Sequence, residues 1–183
     1  MPMDLKEFAR EVHQNAVEHG FWEGERPIDE TFALIHSEWS EALEEYRAGR
    51  PMVWYDEERG HKPEGIALEL IDGCIRILDF MAHMDMTAKL DLMHEELGLW
   101  QTFFPYEKES SIPSMICTLH QKTSEAFTEI NINGEVDEAI FILRIIVFHI
   151  FERLIRNGLD PYALMREKHE YNRTRPYMHG KKC

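Results

Sequence analysis

Ile35-His36-Ser37-Glu38-Trp39-Ser40-Glu41-Ala42-Leu43-Glu44-Glu45-Tyr46 is the stretch whose reading decides the fold. Wound at about 100° per residue, Phe32, Ile35, Trp39, Leu43 and Tyr46 form one apolar stripe, the pattern of an amphipathic helix. Glu38, Glu41 and Glu45 fall within about 60° of one another beside that stripe, with Leu34 among them. A helix that carried acids only for solubility would place them on the far side, where Glu44 lies. Carboxylates set against an apolar seam need a partner from elsewhere in the chain.

Outward from this helix the punctuation is helical, and strand signals are nearly absent. Asp4 to Glu7 resembles a capping box and Gly20 stops a first helix; Asp29 caps the second, which runs to Gly49. Arg50 to His61 reads as a loop, and Pro63 opens a third helix that continues to about Ala82. Thr87 caps a fourth that ends near Gly98, and Leu99 to Ile112 reads as irregular. Pro113 starts a fifth helix that ends near Asn133-Gly134, and Glu135 to Asn157 is a sixth. Asp160-Pro161 opens a seventh to about Arg173, followed by a basic, extended tail from Thr174 to Cys183.

A faint internal repeat runs through these elements. Ile35 to Leu43 aligns with Leu119 to Phe127, His36 meeting His120 at an offset of 84 (120 − 36). The following helices align at an offset of 68: Arg76-Ile77-Leu78 meets Arg144-Ile145-Ile146, and Phe80 meets Phe148. Two helix pairs in tandem imply an all-α four-helix bundle built within one chain.

The third helix, Gly65 to Asp79, is apolar except for one narrow stripe of Glu69, Asp72, Arg76 and Asp79. Taken alone, that stripe reads as the solvated edge of a buried helix. Taken with the second helix it reads differently. Glu38-x-x-Glu41 and Glu69-x-x-Asp72 are each spaced i, i+3, so both members of a pair point the same way. On antiparallel neighbours the four carboxylates can converge. Two carboxylates roughly 5 Å apart repel by about 3 kcal/mol at an effective dielectric near 20, so such a cluster needs cations. An all-oxygen set suits Mg²⁺ or Mn²⁺ rather than zinc. Glu-x-x-His spacing, HExxH, serine elbows and Walker-type glycine loops are absent, which argues against a carboxylate-bridged oxidase and other hydrolase chemistries.

The totals agree. The 183 residues carry a net charge of −14 and 44% hydrophobic content, which suits one globular domain and argues against a surface for nucleic-acid polymers. Cys74, Cys117 and Cys183 are odd in number and lack CxxC spacing, which reads as reduced thiols in the cytoplasm, with Cys74 as core filler. No secretion signal is expected at the N-terminus, and Ala139 to Phe151, interrupted by Arg144 and His149, is too short and polar to span a bilayer.

Glu38-x-x-Glu41, 27 intervening residues (42 to 68) and Glu69-x-x-Asp72 resemble the signature of MazG-like all-α nucleoside triphosphate pyrophosphatases, related to dimeric dUTPases and dCTP pyrophosphatases. Glu41 to Arg47, Lys62 to Ala67 and Lys168 to Lys181 are similar to the phage and bacterial branch. The resemblance implies Mg²⁺-dependent cleavage of a nucleoside triphosphate to monophosphate and pyrophosphate. It implies that Glu38, Glu41, Glu69 and Asp72 hold the metal, with Glu41 as a candidate proton acceptor and Glu45 outside the ligand set. It further implies that Lys168, Asn172 and Arg175 bind phosphate. Asn15 and Trp22 resemble an Asn and a Trp of the dimeric dUTPases and slightly favour a pyrimidine; Trp22 could equally staple the helix entrance.

The second copy departs from this pattern. Lys122 stands for Glu38, Glu125 for Glu41, Asp137 for Glu69 and Ile140 for Asp72. One site per chain is therefore expected: an active helix pair at 27–85, a degenerate pair at 113–158 and a C-terminal helix and tail at 160–183. The likeness to dimeric dUTPases makes a homodimer the candidate assembly. The rival reading is a non-catalytic helical interaction protein whose acidic stripes are solvated faces.

Overall fold

The computed structural model describes residues 3–24, 26–93 and 111–180. Among the described residues six helices carry the fold: α1 (Leu5–Glu18), α2 (Ile28–Arg47), α3 (Ile66–His83), α4 (Ile112–Thr128), α5 (Val136–Arg156) and α6 (Pro161–Arg173). The all-α bundle expected from the sequence is what is observed. α2 packs on α3, α4 on α5, and the pairs pack on each other through α2–α4 and α3–α5, while α1 and α6 flank α3. Phe32 meets Phe80 edge-on, and Trp39 lies on Gly73, so α2 and α3 run antiparallel. One continuous apolar core joins both halves, from Phe8 on α1 to Met165 on α6.

Local chemistry sets most helix ends. The Asp4 carboxylate accepts from the Lys6 and Glu7 N–H groups, and Asp160 does the same for Tyr162 and Ala163 ahead of Pro161. Ser111 caps α4 by accepting from Ser114 N–H. A single π turn, Glu129–Asn133, extends α4 to Gly134. Cys74 is buried, as expected, and among the described residues no helix is long and apolar enough to cross a membrane.

Several boundaries differ from the sequence reading. Pro27, not Asp29, is the N-cap of α2, and Asp29 lies in the first turn. The stretch read as a loop contains a short antiparallel hairpin, β1 (Trp54–Asp56) with β2 (Lys62–Glu64), Tyr55 opposite Pro63. Pro63 therefore sits in a strand rather than opening α3; it needs no ladder donor in a two-stranded ribbon. The start of α3 is fixed by Gly65, whose φ is +112° and whose position would bring a Cβ to 2.7 Å from the Met52 carbonyl oxygen. Thr87 opens a 3₁₀ segment, Thr87–Met93, and the end expected near Gly98 and most of the irregular stretch lie outside the described residues. The tail is not simply extended: Tyr177–Gly180 forms a 3₁₀ turn, the Tyr177 hydroxyl donates to Glu23 at 2.6 Å, and Met178 N–H donates to the His19 carbonyl at 2.9 Å.

The internal repeat is visible in space. His36 and His120, equivalent at the offset of 84, touch through their Nδ1 atoms at 2.8 Å with rings tilted by only 8°. Trp39 Nε1–H donates to Thr123 Oγ1 at 2.9 Å, again equivalent positions. Equivalent residues meet where two similar units face each other across an approximate two-fold axis. The copies have traded bulk: Trp39 over Gly73 corresponds to Thr123 and Phe141.

Two outcomes follow from this packing. Gly73→Ala sets a Cβ 2.2 Å from the Trp39 ring. Its overpacking cost of about 1–3 kcal/mol should exceed the roughly 1 kcal/mol gained in helix propensity, so thermal denaturation should show a lower Tm; an unchanged or higher one contradicts the contact. Burial, and for His36 also its neighbour His120, lowers the pKa of both imidazoles below the usual 6.5. The unfolded chain then binds more protons, so their contribution is intact above about pH 6.5 and is lost as pH falls below it. His36→Gln/His120→Gln should flatten that acid limb in urea titrations.

Candidate metal centre and adjoining cleft

The acidic stripes of α2 and α3 face each other. Oxygen atoms of Glu38, Glu41 and Glu69 all lie within 4.8 Å of one another, a spacing that one divalent cation can bridge. Glu38 and Glu69 are 4% and 5% exposed, whereas Glu41 opens to solvent. The solvated-face explanation of the stripes therefore does not describe these two residues. Burial raises the Glu38 pKa, Asp72 and Glu41 add to the effect, and Arg76 opposes it by donating from Nε at 2.6 Å. Glu69 is pushed up to about 9, chiefly by burial; Lys168 works against the shift, while Asp72, Glu64 and Glu38 reinforce it. Without a cation both carboxyls are shifted toward the protonated form. The donor set is all oxygen, half sealed and open on the Glu41 side, and it fits Mg²⁺ or Mn²⁺.

The stripe on α3 divides into separate tasks. Glu69 joins the triad and Arg76 binds Glu38. Asp72 is outside the group within 4.8 Å: it accepts from Lys168 Nζ at 3.0 Å and from Asn172 Nδ2 at 3.3 Å, both on α6. Asp79 accepts from Trp22 Nε1–H at 3.0 Å and pairs with His13 Nδ1 at 2.7 Å. The four-carboxylate set expected from the sequence is thus three carboxylates in this structure, with Asp72 next to them but engaged by α6.

Other assigned residues also find definite places. Lys168, read from the sequence as a phosphate ligand, is 1% exposed and also donates to the Pro63 carbonyl at 3.1 Å. Burial works against its charge, but Asp72 and Glu69 more than offset that and raise its pKa. Asn172 and Arg175 line a cleft beside the triad, together with Asn15, Asp72 and Asp79. Trp22 does not line it. Its ring stacks on His83 at 3.8 Å and meets the edge of His13, so the indole braces α1 against α3 and Phe21 is the aromatic of the cleft. Glu45 accepts from Trp54 Nε1–H at 2.6 Å, outside the triad.

The second copy carries a different arrangement. Lys122 Nζ pairs with Glu125 at 2.7 Å, joining the positions that correspond to Glu38 and Glu41. Asp137, the counterpart of Glu69, is largely exposed and pairs with Lys89. Sequence reasoning missed Arg26 and Glu64. Arg26 lines the cleft, and Glu64 lies buried in β2 against Lys62. No family model, curated protein or solved structure matches the chain.

Because Glu69 titrates upward, the sign of its pH effect is fixed. The folded protein holds this proton from about pH 4.5 to about 9 while the unfolded chain has lost it, so metal-free stability falls as pH rises through that window. Glu69→Gln should flatten the decline in denaturant titrations between pH 5 and 9. The same variant should lose the rise in Tm that Mg²⁺ or Mn²⁺ gives the wild type; equal metal responses in both proteins contradict the assignment.

Proposed function

We propose that the chain is a Mg²⁺-dependent nucleoside triphosphate pyrophosphohydrolase of the MazG-like all-α type. It converts a (d)NTP to the (d)NMP and pyrophosphate in the cytoplasm, for control or cleaning of the nucleotide pool. The observation that carries the proposal is the meeting of Glu38, Glu41 and Glu69 at the antiparallel α2–α3 seam, on the positions of the paired acidic motif. The burial of Glu38 and Glu69 favours it over an interaction protein with solvated acidic faces.

In this reading Glu38, Glu41 and Glu69 would hold the ion, Glu38 and Glu69 as buried residues and Glu41 as the solvent-exposed one. A bound Mg²⁺ supplies charge neutralisation for the triphosphate and a water of lowered pKa. Arg76 orients Glu38 and opposes, in part, the rise of its pKa on burial. Glu41, reachable from solvent, accepts the water proton. The water oxygen bonds to the α-phosphorus, the bond from that phosphorus to the bridging oxygen breaks, and pyrophosphate leaves with the electron pair. Arg175, at the cleft, binds phosphate oxygens by charge-assisted hydrogen bonds. Lys168 and Asn172 hold Asp72 beside the phosphates, and Asp72 is the reserve fourth ligand. Asn15 lies on the cleft wall where the nucleoside would sit. The degenerate half is scaffold, giving one site per chain and a homodimer as the candidate assembly.

With dUTP, dCTP and GTP at millimolar Mg²⁺, at least one nucleotide should yield monophosphate and pyrophosphate in equal amounts without orthophosphate. Glu41→Gln should lower kcat by about 10²–10⁴-fold with an unchanged circular dichroism spectrum. No pyrophosphate from any nucleotide with Mg²⁺ or Mn²⁺ contradicts the enzyme reading.

A further inference from the structure

The cleft beside the acidic triad has a second chemistry at its other wall. Arg26, just before α2, has a side chain only 8% exposed. Its Nε donates to Glu30 at 3.0 Å, and its guanidinium lies over the Phe21 and Trp22 rings at 5.6 and 5.5 Å from their centroids. Nη2 is buried and has no hydrogen-bond partner among the described residues. Asn172 is 8% exposed; its Nδ2 serves Asp72, and its Oδ1 is likewise buried without a partner among the described residues. Both residues line the same cleft.

A buried donor or acceptor left unpaired costs about 1–3 kcal/mol, so two of them on one cleft point to a ligand that satisfies both. Neither carboxylate of this cleft, Asp72 or Asp79, lies within hydrogen-bond reach of Arg26 Nη2. The same cleft is lined by the apolar Val12, Ala16, Phe21 and Ile75 as well as by the polar Asn15, Arg76, His169 and Arg175. That combination suits the edge of a planar heterocycle rather than a phosphate.

We infer that Arg26 and Asn172 are the specificity-determining pair of this cleft, reading a keto oxygen next to a ring N–H on the base of the nucleotide; the inference rests on the nucleotide reading above. Arg26 Nη2 donates to the keto oxygen, and the ring N–H donates to Asn172 Oδ1. Uracil, thymine, guanine and hypoxanthine carry this edge. Cytosine and adenine present an amino group beside a bare ring nitrogen, which denies Arg26 the negative end of a carbonyl dipole. Arginine pairs with keto-bearing base edges for the same reason in nucleic-acid recognition, where a matched pair contributes about 1–3 kcal/mol of discrimination.

The test is calorimetric binding of deoxynucleoside monophosphates, which needs no turnover. On the wild-type chain dIMP should bind about tenfold or more tighter than dAMP, a purine pair differing only at this edge, and dUMP should likewise exceed dCMP. Arg26→Met should erase both preferences by weakening dIMP and dUMP, leaving dAMP and dCMP within about twofold. A preference for only one of the keto ligands that Arg26→Met removes still supports the pair and reports ring size. Equal wild-type binding within both pairs, dIMP with dAMP and dUMP with dCMP, or no binding of any of the four, overturns it without requiring any variant to fold. Edge-selective binding without pyrophosphate release sinks the hydrolase and spares this inference; hydrolysis that ignores the edge does the reverse.

Discussion

Three carboxylates held within 4.8 Å of one another at the seam of two helices set the terms for everything around them. Burial first, and neighbouring carboxylates second, shift two of the three toward the protonated form. The neighbourhood supplies positive charge in measured places. Arg76 sits on Glu38, and Lys168 sits near Glu69 while bonding Asp72. Through that bond the last helix is fastened to α3, so the electrostatics of the centre and the position of α6 are one problem. A divalent cation would ease the same repulsion more directly, which is the physical ground for proposing one there.

The doubled architecture shows how such a centre can be kept affordable. Both halves share one apolar core and meet through equivalent residues, His36 on His120 and Trp39 on Thr123. Only one half carries the acidic cluster. In the other, Lys122 neutralises Glu125 locally and Asp137 faces solvent, so no repulsion builds up. The second pair supplies packing surface, and the first tolerates its own charge because it is braced on that surface. Trp39, immediately next to Glu38, joins the two: its ring packs on Gly73 within the first pair and its Nε1–H donates to Thr123 of the second.

Much of this was legible in the chain, and the exceptions have physical causes. Helices were readable because 3.6-residue periodicity and caps such as Asp4, Asp160 and Gly134 act locally. The hairpin at Trp54–Glu64 was not, because three-residue strands have too little alternation to show, and Pro63 fits a first helical turn equally well on sequence grounds. The metal-centre carboxylates were readable as paired i, i+3 acids beside apolar stripes. The diversion of Asp72 to Lys168 and Asn172 was not, since it depends on a contact between residues a hundred positions apart. Trp22 was visible as an aromatic near the site, but its stacking on His83 required the return of α3 to α1. Arg26 gave no signal at all: a lone arginine between Gly24 and Pro27 looks like surface, and only folding buries it.

The central claim is that one divalent ion belongs between α2 and α3. Anomalous scattering from crystals grown with Mn²⁺ and a non-hydrolysable deoxynucleoside triphosphate analogue tests it most directly. The account predicts a manganese peak bonded to oxygens of Glu38, Glu41 and Glu69 and to phosphate oxygens of the analogue. Manganese bound at another surface, or a triad left without a peak while the analogue binds elsewhere, contradicts it.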